Sequence, residues 1–295
     1  VIAFFLALLV VPALAQDLIG LAGDSPFSSA LDAELVAAGA VRARTFGGAL
    51  QFPRADVGRV GVSGRYLRLE NDGAGVPDFT SLNGGLTFQR PLGGERSLSA
   101  LASYGSASDR PFRDGRDATM QLNVLYRSSP NLIWLGNYSN NRAFLNNVPL
   151  PGVLYVGEQS RERAVLVGFP FVNLLLPIAR GALSFRYLAV LPFNHRLKLS
   201  YTGVGPVRPF AAVEQLTQVF FDSARRTDGL RIFWFERRAS LGLETSFGPA
   251  LRIEAQAGAA FDREFFVART FRGSVRARNP VADAGFAGIT LRSLF

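Results

Sequence analysis

Arg59, Arg65, Arg127, Arg186, Arg196, Lys198, Arg238 and Arg252 stand at alternate positions in segments whose remaining positions are mostly apolar. Glu244, Glu254 and Asp262 share that parity, as does Arg292 near the chain end. Side chains alternate across an extended strand, so each charged set lies on one face of its ribbon. If those faces enclose water, their excess of cations attracts anions, because rings of like charge set pore selectivity. If they enclose side chains, the arginines pair with carboxylates instead. Leu101, Leu125 and Leu188 share the charged face and point to partial filling. Both readings stand on the sequence alone.

Other chemistry is thin. His195, the sole histidine, follows Asn194 at a turn after Pro192, and Ser200 lies on the strand beyond. A hydrolase needs a nucleophile with a base in reach. No matching motif surrounds either residue, so His195 reads as a turn or rim residue and no enzyme is expected. Asp109, Asp114 and Asp117 share a loop with interleaved Arg110, Arg113 and Arg116. That mixture suits a neutralised, solvated surface better than a calcium site. No metal or cofactor is expected. The chain carries net charge +9 with a pI near 10.7, yet it has no basic run, zinc spacing or basic helical face, so nucleic acid is not the expected partner. Lys198 is its only lysine, and it has no cysteine, so disulfides hold nothing together.

The elements that position these charges are strands. Residues 1–11 are apolar, then comes Pro12, and Ala13-Leu-Ala15 precedes Gln16, the layout of a signal peptide cut after Ala15. A transmembrane helix needs about 20 apolar residues, more than this run supplies. Residues 16–29 read as a periplasmic lead and 30–295 as one barrel domain. Within it, period-two segments fall near 30–36, 41–52, 57–71, 81–91, 97–107, 117–128, 131–141, 161–171, 182–191, 195–203, 208–222, 230–247, 250–264 and 285–295. That is fourteen strands; the first and the pair around Pro192 are weak, which leaves twelve as the alternative. Hydrocarbon offers the backbone no hydrogen-bond partner, so only a closed sheet can span it with strands. Tyr66, Tyr104, Tyr126, Tyr138, Tyr187 and Tyr201 lie toward one end of an apolar face, where headgroup girdles place aromatics. Connections at 53–56, 92–96, 128–130 and 248–249 read as periplasmic turns. Those at 72–79, 108–116, 142–160 and 267–284 read as external loops. Nothing in the pattern suggests a second domain, a long linker or a plug.

The last segment sets Ala287, Ile289, Leu291 and Phe295 against Gly288, Thr290, Arg292 and Leu294. It resembles the C-terminal aromatic signature by which bacterial outer-membrane barrels are recognised for assembly, with Ser293 departing from the usual apolar choice. Pro149-Leu-Pro-Gly-Val-Leu-Tyr155, Gly168-Phe-Pro-Phe171 and Ala260-Phe-Asp-Arg-Glu-Phe-Phe266 add to it. With them the chain resembles an outer-membrane barrel family known only as a domain of unknown function. The resemblance implies a barrel and supplies no substrate, cofactor or catalytic residue. The expectation is an all-β, closed antiparallel transmembrane β-barrel in the outer membrane of a Gram-negative bacterium. Its partners are the lipid bilayer and the barrel assembly machinery, which would read Ile289, Leu291 and Phe295. Its expected function is a passive channel for small hydrophilic solutes, anions among them; a closed structural or loop-presenting adhesion barrel is the alternative.

Overall fold

The computed structural model describes residues 28–54, 58–72, 75–160, 163–203, 205–225, 227–248, 251–271 and 273–294. Ala13, Ala15, nearly all of the 16–29 lead and Phe295 lie outside those residues. The strands are β1 (Ser28–Ala38), β2 (Val41–Arg54), β3 (Gly58–Asn71), β4 (Phe79–Gly93), β5 (Arg96–Ser108), β6 (Ala118–Ser129), β7 (Leu132–Ser139), β8 (Leu150–Gln159) and β9 (Ala164–Phe169). They continue as β10 (Phe171–Ile178), β11 (Leu183–Val190), β12 (Asn194–Tyr201), β13 (Val207–Phe220), β14 (Arg231–Phe247), β15 (Leu251–Ala268), β16 (Ala277–Val281) and β17 (Ala284–Leu294). From β1 to β15 each strand pairs antiparallel with the next. β16 and β17 both pair with β15, at its outer and inner parts, and so form one strand interrupted at Ala282 and Asp283. β17 also pairs with β1, from Ala38↔Phe286 to Ala30↔Leu294, and shuts the sheet. The result is a closed antiparallel barrel of sixteen strands.

The count exceeds the expected fourteen because two strands hide their period. β8 begins Leu150-Pro-Gly-Val, residues that read as a loop, yet Ile133 pairs with Leu154 and Leu135 with Gly152. The expected 142–160 loop is therefore a shorter loop followed by a strand. β10 is Phe-Val-Asn-Leu-Leu-Leu-Pro-Ile, whose apolar run has no alternation to read. Pro170 falls between β9 and β10, where it ends the ladder at a reversal. Gly168 has a steric reason: a Cβ there would lie 1.9 Å from the carbonyl oxygen of Val153.

Elsewhere the alternation holds. Leu35, Phe46, Leu82, Leu86, Trp134, Leu241, Leu243, Ile289 and Leu291 are exposed on the outside, while Ser63, Asn83, Gln121, Asn123 and Asn137 are buried toward the lumen. Tyr104, Tyr155 and Tyr201 stay exposed on that apolar belt. With the longer connections taken as extracellular, Tyr104 falls near the outer end and Tyr155 and Tyr201 near the periplasmic end, giving two girdles. With strands about 4.8 Å apart and tilted about 40°, sixteen strands close at a radius of roughly 16 Å.

Candidate functional site

A charged sector lines the lumen from β11 to β15. Glu244 and Glu254 face each other in register across β14 and β15, an arrangement in which two carboxylates repel. Lys198 of β12 resolves this by bonding to both, at 2.6 Å to Glu244 and in close contact with Glu254. Its ammonium also lies 3.8 Å from the centre of the Phe210 ring. Arg196 pairs with Glu214 at 2.7 Å and with Glu254, and Arg252 pairs with Glu244. These cations are thus matched by acids, which are buried and accept charge-assisted bonds. Lys198, Arg196, Arg252, Glu244 and Glu254, all expected on one face, are brought together. Arg65 and Arg238 are buried on the lumen side, while Arg59, Arg127 and Arg186 are half-buried on the same face. Arg127 donates to the carbonyl of Pro130 at 3.1 Å, at a periplasmic turn.

Above this sector the mouth is crossed by the barrel's own wall. β14 and β15 have 17 and 18 residues, whereas a tilted transmembrane strand needs about 10. The excess of roughly seven residues adds about 23 Å at 3.3 Å each, more than the barrel radius. One face of this extension places Phe220, Ile232, Trp234 and Phe265 against Val41, Leu67, Leu69, Phe79 and Ala107. The other packs Val219, Phe233, Phe235 and Phe266 on Ala143, Phe193 and Phe271. Both faces are apolar because both are covered, which is why Ile232-Phe-Trp-Phe235 does not alternate.

The tip reaches β5, on the opposite side of a sixteen-strand ring from β13. Phe221 donates its N–H to the carbonyl of Ala107 at 2.7 Å. Ser223 donates its N–H and hydroxyl to Asp109, at 2.7 and 2.8 Å. Arg225 pairs with Asp117 and also donates to the carbonyl of Arg116. Arg231 donates to the carbonyl of Asn140 at 3.0 Å. The guanidiniums of Arg225 and Arg231 both lie over the Phe221 ring, at 4.4 and 4.3 Å. Asp117 is held in place by a short 3-10 turn, Gly115–Asp117, capped by Asp114. The Arg116 N–H and guanidinium hold the Asp114 carboxyl below the usual carboxylate range. Among the described residues the outer mouth is therefore crossed by a hairpin latched to the far wall, an inward-folded element that the strand pattern did not suggest.

At its base the extension bends. The β14–β15 register shifts between Phe235 and Arg237, and Asp262 adopts φ 51°. Such a bulge adds one residue, bends the strand and resets its facing. Asp262 is consequently not in the lumen: it is exposed and pairs with Arg237 at 2.7 Å. Arg263 takes the inward place. It bonds to Glu236 at 2.9 Å, to the carbonyl of Ala282 at 2.8 Å and to that of Ala38 at 2.9 Å. Glu236 also accepts from Arg238 at 2.6 Å. The ion pairs at this bend are thus Arg237–Asp262 outside and Arg263–Glu236 inside.

Sequence reasoning missed Glu214 and Glu236, although both have the parity of Arg196 and Arg238 and could have been read from it. It also set Asp109 and Asp117 aside as solvated surface, whereas Asp117 is fully buried. His195 and Ser200 differ in parity on β12, so they face opposite sides of the sheet and cannot form a catalytic pair. Tyr187 and the carbonyl of Pro192 occupy the two ring nitrogens of His195, at 2.8 and 3.0 Å.

A closed antiparallel sheet with an apolar outer belt and a polar lumen defines the class: an outer-membrane β-barrel. No family model matches the chain, and no curated protein matches it. Among solved structures it is similar to the outer membrane protein Omp33 of Acinetobacter baumannii, at 12% identity and TM-score 0.40 over 91% of this chain and 98% of that one. It is similar to OmpT of Vibrio cholerae in its trimer form, at 10% identity and TM-score 0.36 over 91% and 98%. It is also similar to the translocator domain of the autotransporter NalP from Neisseria meningitidis, at 13% identity and TM-score 0.27 over 97% and 93%. Likenesses this distant extend to the barrel and no further.

Proposed function

We propose that this barrel is a gated, non-enzymatic transport protein for small hydrophilic solutes, closed at rest by the β13–β15 extension. One observation carries the reading: a sixteen-strand wall keeps an ion-paired, polar inner face beneath a lid made from its own strands. Barrels of about eight strands fill their interior with side chains, whereas sixteen or more leave an aqueous space or need a plug. A barrel with only a structural task has no use for such a width. The passage is selected by the Lys198–Glu244–Glu254 group and its arginine neighbours. Because those cations are largely matched by acids, the preference for anions is weak.

The second reading, a closed barrel that presents its outer loops, is favoured by the same lid. The two part in planar bilayers. The native protein should conduct rarely, and a variant with residues 217–235 replaced by a two-glycine turn, which removes the hairpin and its aromatic layers, should conduct steadily. A folded lid-less variant without conductance rejects transport in favour of the loop-presenting barrel. In this reading Ile289 and Leu291 engage the assembly machinery through the closing strand, and residues 1–15 direct export.

A further inference from the structure

The lumen wall from β7 to β10 is mainly aliphatic, broken by Asn137 and Asn173, and it is charged from β11 onward. Leu135, Leu154 and Leu166 are buried on its inner face; toward β12 the same face continues with Leu175, opposite Ala164, and Leu188, opposite Asn173. Leu175 stands opposite Arg186, and Leu188 opposite Arg196. An aliphatic wall and a row of cations therefore meet along β10 and β11.

Arg186 is the cation this junction leaves without a carboxylate. Lys198, Arg196 and Arg252 have Glu244, Glu254 and Glu214. Among the described residues Arg186 makes no ion pair. Its charged neighbours are Arg252, Arg292, Arg196 and Glu244, and the Oε2 atom of Glu244 already accepts from Lys198 and Arg252. A guanidinium beside three other cations is a place where an added anion is favoured. Its planar fork matches a carboxylate with two parallel bonds.

We propose that Arg186 is the anchor of a binding subsite for a small amphiphilic acid. The carboxylate sits on Arg186 and the apolar body lies along the β8–β10 wall. From β11 to β9 is two strand spacings, about 10 Å, roughly the length of an eight-carbon chain. This rests on the transport reading and narrows it from hydrophilic solutes in general to acids with a short apolar tail. A bare anion uses only Arg186 and an uncharged alcohol only the wall, so neither matches both halves.

The test is binding to the folded full chain in dodecylmaltoside micelles, read as the rise in unfolding midpoint with added octanoate, acetate or octanol. A ligand that binds only the folded form stabilises it by mass action. Octanoate should raise the midpoint saturably. Acetate and octanol should need at least about tenfold more for the same rise, a difference of about 1.4 kcal/mol in binding. Arg186→Met should abolish the octanoate response and Arg186→Lys should retain much of it. Leu175→Asn should weaken octanoate while leaving acetate unchanged, which keeps the test open if the methionine variant does not fold. Equal octanoate responses in the native and Arg186→Met proteins overturn the subsite, as does acetate matching octanoate. Because micelle binding needs no conduction, a non-conducting barrel that still discriminates octanoate loses the transport reading but not the subsite. A conducting barrel without that discrimination loses the subsite alone.

Discussion

Replacing Asp117 by alanine should unlatch the hairpin that crosses the mouth. Asp117 and Arg225 are 1% and 4% exposed at their side chains, so the substitution strands a buried guanidinium whose remaining bonds go to the carbonyls of Asp222 and Arg116. Breaking a buried ion pair from one side costs about 3–5 kcal/mol. The Ser223–Asp109 bonds and the two apolar layers remain, so the hairpin should shift toward release rather than unfold. A cost of about 3 kcal/mol, at 1.36 kcal/mol per decade, raises the open-to-closed ratio roughly a hundredfold. The chain has no cysteine, which makes a single Ala107→Cys a clean reporter. Ala107 is 2% exposed and lies in the layer beneath the lid. A thiol there reacts with a maleimide only when the lid lifts, so its labelling rate should rise by about two decades in the Asp117→Ala background. The double variant Asp117→Ala with Arg225→Met should recover much of the protection, because it leaves no uncompensated charge. An unchanged labelling rate in Asp117→Ala, with heat-modifiable migration showing a folded barrel, would refute the latch.

Two further outcomes follow from the wall itself. Leu291→Asp puts a charge on the lipid face of the closing strand, where Leu291 is 41% exposed. Charged residues at mid-membrane depth cost a few kcal/mol, so the folded, heat-modifiable fraction should fall sharply; native levels would show that this face does not meet lipid. Lys198→Met removes the ammonium between Glu244 and Glu254 and leaves two buried carboxylates in register. With Arg196 and Arg252 still present the loss should be about 3 kcal/mol, read as a lower urea midpoint at unchanged slope; a change below about 1 kcal/mol would mean the arginines alone neutralise the pair.

The barrel was legible because a membrane-spanning strand must alternate, and alternation survives in sequence wherever one face meets lipid and the other meets polar groups. Arg196, Lys198, Glu244 and Glu254 could be assigned to one face from parity alone, as could Ile289 and Leu291 to the other. Parity fails where that two-sided environment fails. β10 and the Ile232–Phe235 stretch carry apolar side chains on both faces, so the period that marks a strand is absent. Asp262 defeats it differently, since one bulged residue reverses the facing of everything beyond.

What the sequence by itself determined, then, is the periodic part: strand character, lipid face, charged lumen face and the closing strand, all set by neighbours within a few residues. What only the tertiary structure decided is which strands extend past the membrane and where they go. The latch joins Asp109 and Asp117 to Ser223 and Arg225, more than a hundred residues away. The Lys198 group joins β12 to β14 and β15 across the intervening β13. Such pairings depend on the curvature of a closed ring and on a bend at Asp262, and no local pattern in the chain encodes the distance across a barrel.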